Sequence, residues 1–206
     1  MRLDKWAVTA QEALQAAVGI ATDANAGQLM PVHVLKALLS SGEHNLRAII
    51  ERVGADPASI EAQVDDAIAR QPRVSGDTAQ MGMADATVRV GNAAEKLATK
   101  LGDSYVTSEH LLCALADDKT DAGSILKAAG VTGKRVEEAY NSLRGDERVT
   151  SQDSKPEFEA LEKYGRNLAK LAEAGKLDPV LDRDREIERV MQVLARRQKN
   201  NPLILG

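Results

Sequence analysis

Aromatic side chains are scarce in this 206-residue sequence. They make up 2% of it: Trp6, Tyr105, Tyr140, Phe158 and Tyr164. A core must therefore be assembled from Ala, Leu, Val and Ile. Alanine has the best helix propensity and lets helices approach closely, so the composition predicts an all-α body. Cysteine is almost absent. The single Cys113 excludes an internal disulfide and gives no sign of secretion. Set in the apolar run His110–Ala116, it reads as a buried, inert thiol rather than a nucleophile. No apolar stretch approaches the length of a membrane span, and Met1–Trp6 lacks the apolar core of a signal peptide, so the expected location is cytoplasmic, with no membrane partner. A formal charge of −4 argues against a general nucleic-acid binder. Arg196, Arg197 and Lys199 form a small basic cluster, but acids interleave upstream and no aromatic platform accompanies it. That cluster reads as a solvated face or a contact with a further domain.

What the sequence does have is a repeat. Met30–Leu39 aligns with Thr107–Ala116 at an offset of 77, so that His33 matches His110, Leu35 matches Leu112 and Ala37 matches Ala114. Upstream, Ala17, Ala21 and Thr22 pair with Ala94, Ala98 and Thr99. Downstream, a one-residue shift pairs Ile49 with Ile125 and Gly54 with Gly130. Each copy has the same grammar. A first helix (about Lys5–Thr22 and Ala84–Lys100) carries apolar residues at helical spacing, and a turn at Gly27 or Gly102 follows it. A second helix opens at Pro31 or at a Thr107/Ser108 cap, a third ends on Gly54 or Gly130 in the left-handed C′ position, and a fourth begins near Asp56-Pro57 or Thr132. The expectation is two tandem four-helix repeats, residues 1–70 and 82–145, within a domain spanning 1–145.

Residues 146–157 lack apolar periodicity and read as a linker. Beyond them the sequence predicts a helix over Phe158–Ala174, a turn at "GKLDP", a helix over Asp184–Gln198 and a short apolar strand ending at Gly206. Residues 158–206 therefore read as the leading edge of an α/β domain.

The stretch "KYGRNLAKLAEAGKLDPVLDRDREIERVMQVLARRQKNNPLILG" resembles the start of the first nucleotide-binding domain of Clp AAA+ chaperones. The upstream repeat resembles the double Clp N-domain. "MRLDKWAVTAQEAL" and "LAEAGKLDP" are closer to the ClpB-type disaggregases than to the protease-coupled members. The resemblance implies that Leu203–Leu205 leads into a phosphate-cradling loop, and that Pro179, Val180, Leu181 and Asp182 form part of an adenine pocket. Asp182 departs from the family's glycine. Its two readings are a bulky negative charge near the nucleotide and an outward-turned helix cap. The sequence holds no Gly-Lys-Ser/Thr, so this stretch is expected to bind no cofactor and to hydrolyse nothing, with ATP and magnesium bound elsewhere in the parent protein. The resemblance further implies a homo-hexameric parent, a possible co-chaperone and unfolded or aggregated polypeptides as clients. The rivals are an adaptor-binding N-domain of a protease-coupled unfoldase, a nucleotide-binding enzyme and a clientless scaffold.

Candidate contacts for a client follow from differences between the two copies. Asp103 stands where the first copy has Ala26, and Glu109 where it has Val32; both acids are candidates for the polar rim of a groove. Val90, Ala93 and Leu97 share a helix face and are candidates for its apolar floor, with Tyr105 beside them. The competing readings are a turn residue for Asp103, helix-dipole compensation for Glu109 and plain core packing for the floor. His33 and His110 occupy equivalent places in separate copies and His44 lies at no ligand spacing from either, so no metal site is expected. Ser108 and His110, two apart on a helix, do not face each other and form no hydrolytic pair.

Overall fold

In the computed structural model, the chain divides into two compact units, Met1–Ala160 and Leu161–Gly206. The structure describes residues 3–74, 81–145, 148–152, 175, 183–196 and 202. The linker 146–157 falls largely outside them, as do Phe158–Ala174, the candidate adenine-pocket residues Pro179, Val180, Leu181 and Asp182, and Leu203–Leu205.

Within the first unit, eight α-helices are described: α1 Val8–Asp23, α2 Pro31–Ser40, α3 His44–Arg52, α4 Pro57–Ala69, α5 Asp85–Leu101, α6 Ser108–Asp117, α7 Asp121–Ala128 and α8 Gly133–Arg144. The inner face of α1 is Ala10, Ala13, Leu14, Ala17 and Ala21, all buried. Small side chains at that spacing let α1 lie close against α2, and Ala94 and Ala98 do the same for α5 on α6. Asp56 caps α4 by accepting hydrogen bonds from the Ala58 and Ser59 amides, and Thr132 caps α8 through the Arg135 amide. Gly54 and Gly130 sit at φ +85° and +77°, the left-handed positions expected of them.

Two sequence expectations shift. Helix α1 begins at Val8, not Lys5, because Trp6 and Ala7 are held extended. The Ala7 amide donates to the Val106 carbonyl at 2.8 Å, and the Val106 amide donates to the Lys5 carbonyl at 2.8 Å. The first turn also pivots elsewhere than Gly27: the left-handed residue is Asn25, at φ +53°, 77 positions before Gly102 at φ +77°. Asparagine is among the few non-glycine residues that adopt this conformation readily.

Two short strands, β1 Gln28–Leu29 and β2 Gly82–Met83, pair in parallel, with Leu29 opposite Met83. A parallel bridge joins Trp6 to Val106. At the 77-residue offset these two pairings are counterparts: Leu29 maps to Val106, and Trp6 to Met83. The segment before each half's first helix thus pairs with the segment before the other half's second helix. Helix α3 packs on α6 and α8, and α4 packs on α7, which closes the interface between halves. The second unit contains α9, Asp184–Leu194, with Ile187, Met191 and Leu194 exposed at helical spacing. No helix among the described residues is long and apolar enough to cross a membrane.

Candidate functional site

A cleft of about 490 Å³ opens between α5, α6 and the start of α8. Val90, Ala93 and Leu97 line it from α5, spaced so that they fall on one face. Cys113 and Ala114 line it from α6, and Arg89, Asp117, Asp118, Lys119 and Glu137 surround them. Val90 is buried, Leu97 half-buried and Ala93 exposed, so the floor runs from core to solvent. The Cys113 thiol donates to the Gly133 carbonyl at 3.1 Å. Burial, with Asp117 and Glu137 nearby, pushes its pKa up to about 12, which leaves it protonated and unreactive as a nucleophile. The cleft contains no acid–base or nucleophilic pair; its chemistry is apolar contact inside a charged border.

The two acids expected at the rim lie elsewhere. Glu109 is buried and accepts from the Asn45 side chain at 3.4 Å, across the interface between halves. Asp103 is buried at the centre of a polar cluster. Its Oδ1 accepts from the Val149 amide at 2.9 Å, and its Oδ2 from Arg144 Nη1 at 2.5 Å and His110 Nε2 at 3.1 Å. His110 Nδ1 accepts from the Thr107 amide at 3.0 Å, so its proton resides on Nε2 and points at Asp103. Tyr140 meets the His110 ring edge-on at 5.5 Å, and the Arg144 guanidinium lies 4.9 Å from the Tyr140 centroid. Burial alone would raise the Asp103 pKa. The bonds from His110, Val149 and Arg144 outweigh it, and the net pKa lies below the ordinary carboxylate value.

This cluster fastens the chain after α8. The Ser104 amide donates to the Val149 carbonyl at 2.8 Å, the Arg148 guanidinium meets the Leu101 carbonyl, and Gln152 bonds to Val8 and Trp6. Helix α2 has the same cap without the acid. The Met30 amide donates to His33 Nδ1 at 3.0 Å, but His33 Nε2 is buried with no hydrogen-bond partner among the described residues, and burial lowers the pKa of His33. Ala26, at the position equivalent to Asp103, offers no acceptor.

Of the six candidate contacts, the structure brings together Val90, Ala93 and Leu97. Tyr105 is half-buried and does not line the cleft, and Asp103 and Glu109 serve the interior. The sequence reading missed the α6 wall. Cys113 and Asp117 are four apart on one helix, and that spacing was the available signal. Among the described residues, no group of three or more His, Cys, Asp or Glu side chains is placed to hold a metal ion.

The comparisons bear on the family and the fold. The chaperone protein ClpB of Propionibacterium freudenreichii subsp. shermanii is 43% identical over all of this chain, which spans 24% of that protein. ClpB of Corynebacterium glutamicum is 42% identical over 95% of the chain and 23% of its own length. The chain thus spans about a quarter of the curated relatives it matches. The crystal structure of the Hsp104 N-terminal domain from Candida albicans superposes with a TM-score of 0.65 at 23% identity, covering 72% of this chain and 97% of that one. The Clp repeat (R) N-terminal domain matches residues 5–129, and the chain belongs to that family.

Proposed function

We propose that residues 1–145 are the polypeptide-recruiting domain of a ClpB-type protein disaggregase, and that the cleft floored by Val90, Ala93 and Leu97 receives exposed apolar segments of unfolded or aggregated proteins. The observation that carries the reading is the cleft itself: an accessible apolar floor inside a charged border, with no catalytic group. One leucine-sized side chain seated there contributes about 1.5–3 kcal/mol. Two such contacts contribute about 3–6 kcal/mol, weaker than the roughly 8 kcal/mol of a micromolar complex. A domain that hands its client to a motor needs binding of that strength, because tighter capture would hold the client back.

In the same reading the two halves arose by tandem duplication, which the reciprocal Leu29–Met83 and Trp6–Val106 pairings support. Residues 146–157 link this domain to the start of an AAA+ domain at 158–206, of which Pro179, Val180, Leu181 and Asp182 contribute to the adenine pocket. The parent protein is a cytoplasmic hexamer that uses ATP and magnesium outside this stretch and works with a co-chaperone.

Ala93→Glu tests the site. Ala93 is exposed, so a carboxylate there leaves the core intact while charging the floor. Circular dichroism should be unchanged. Affinity for an unfolded client such as casein, read by fluorescence anisotropy, should fall about tenfold, or ~1.4 kcal/mol. Unaltered binding would place the client elsewhere.

A further inference from the structure

The two halves carry the same helix cap in different surroundings, and the difference falls on one buried titratable group. In each half the amide three residues before the histidine donates to its Nδ1, Met30 to His33 and Thr107 to His110, at 3.0 Å in both. Nδ1 is thus the acceptor, and the neutral ring keeps its proton on Nε2. Both histidines are fully buried. An added proton would make both ring nitrogens donors, which breaks the cap and buries a charge.

The second half has an acceptor for each nitrogen. Asp103 Oδ2 lies 3.1 Å from His110 Nε2, and its lowered pKa keeps it ionised in mild acid. Thr107 Oγ1 lies 3.0 Å from Nδ1, and its oxygen can accept when Nδ1 gains a proton. At the 77-residue offset the first half has Ala26 for Asp103 and Met30 for Thr107. Both differences remove an acceptor, and His33 Nε2 has no hydrogen-bond partner among the described residues. The helices packed on α2 supply no charge instead. On α1, α3 and α7 the charged side chains (Glu12, Asp23, Arg47, Glu51, Arg52, Asp121 and Lys127) are exposed. Glu61 of α4 is held by Lys36, Glu95 of α5 by the Trp6 indole and Glu109 of α6 by Asn45. The remaining acids, lysines and arginines of α4, α5 and α6 are exposed. Burial alone moves the His33 pKa, downward.

We propose that His33 is an acid-sensitive latch: its protonation releases the turn over residues 25–30 from the start of α2, while the second half keeps its corresponding turn closed. The surroundings of the turn leave it room to move. A cavity of about 500 Å³ lies between Ala26, Gly27, Gln28 and Met30 on one side and Ala67, Pro72 and Val74 on the other. Once the cap is broken, the Leu29 carbonyl is held only by the Ala84 amide at 3.2 Å and Thr87 Oγ1 at 2.6 Å. Release exposes Leu29, 2% accessible with the latch shut, and unpairs β1 from β2. Because the folded pKa of His33 lies below its ordinary 6.5, the latch is complete above that value and loses its contribution as pH falls below it. It lies in the first half and acts whatever the cleft binds.

Amide exchange in the whole 206-residue chain, read as protection factors so that the intrinsic pH dependence cancels, tests the latch through a matched pair. The Ala84 amide bonds the Leu29 carbonyl, and the Ala7 amide bonds the Val106 carbonyl at the equivalent place. Between about pH 7 and about pH 5, protection should fall about tenfold or more at Ala84 and less than about twofold at Ala7. Ala26→Asp restores the missing acceptor at a half-buried position and should hold Ala84 within about twofold over the same range. His33→Gln, whose amide oxygen can take the Met30 N–H but cannot titrate, should do the same. Equal losses at Ala84 and Ala7 in the wild type, or no loss at Ala84, would overturn the latch. A loss that persists in folded His33→Gln or folded Ala26→Asp would assign it to another group and overturn the latch as well.

Discussion

Trp6→Ala should lower the unfolding free energy of the first unit by about 3–5 kcal/mol, the usual cost of deleting a buried tryptophan. Trp6 is 1% exposed, its indole N–H donates to Glu95 Oε1 at 3.2 Å, and its backbone bridges Val106. The substitution therefore empties a site where the N-terminal segment, α5 and the segment before α6 converge. Leaving Glu95 without the indole adds to the lost packing. For a domain of this size the midpoint of thermal unfolding should fall by roughly 10 °C. Met83 supplies the internal comparison: it occupies the counterpart strand position yet is 37% exposed. Met83→Ala should fall within about 0.5 kcal/mol of wild type, as exposed substitutions do. Urea titration of both variants checks the pair. A Trp6→Ala loss below about 1 kcal/mol would mean the two halves do not depend on this clasp.

Local signals marked the helices of the first unit, because the features that set a helix are local. Helical spacing marked the inner faces of α1 and α5, and Gly54 and Gly130 marked the ends of α3 and α7 through their need for positive φ. The floor of the cleft was legible for the same reason: Val90, Ala93 and Leu97 are on one helix, and periodicity along a helix needs no tertiary knowledge. The acids were misplaced because their partners are distant in sequence. Asp103 lies beside a turn, where a solvated carboxylate is ordinary, and only Arg144 and Val149, 41 and 46 residues away, draw it inside. Glu109 is likewise claimed by Asn45, 64 residues earlier. Trp6 was read as the first turn of α1 because its apolar character fits that helix. The strand pairing that holds it extended joins residues 100 apart, a contact no local pattern reports.

Asp103→Ala should destabilise the first unit by about 3–5 kcal/mol at neutral pH, because it removes one partner of a buried ion pair and strands the other. Arg144 would lose its carboxylate, the Val149 amide its acceptor, and His110 Nε2 would become as unsatisfied as His33 Nε2 already is. Asp103→Asn, which keeps the size and one acceptor but not the charge, should lose less, about 1.5–3 kcal/mol. The pH dependence distinguishes electrostatic loss from lost packing. The folded pKa of Asp103 lies below its ordinary 3.8, so its contribution is complete above that value and disappears as pH falls through the lower, folded pKa. The gap between wild type and Asp103→Ala should therefore hold constant from neutral pH to about 5 and narrow below about 4. His33 also titrates in the acid range: burial holds its pKa below 6.5, so stability is lost as pH drops from there, but equally in both proteins, and it cancels in the difference. Because Asp103 fastens Val149 to the body, its loss should also free residues 148–152. Hydrogen exchange at the Val149 amide should then quicken far more than at Ala94 in α5. A gap that stays constant into acid would assign Asp103 to packing alone, and unchanged exchange at Val149 would separate it from the chain that follows α8.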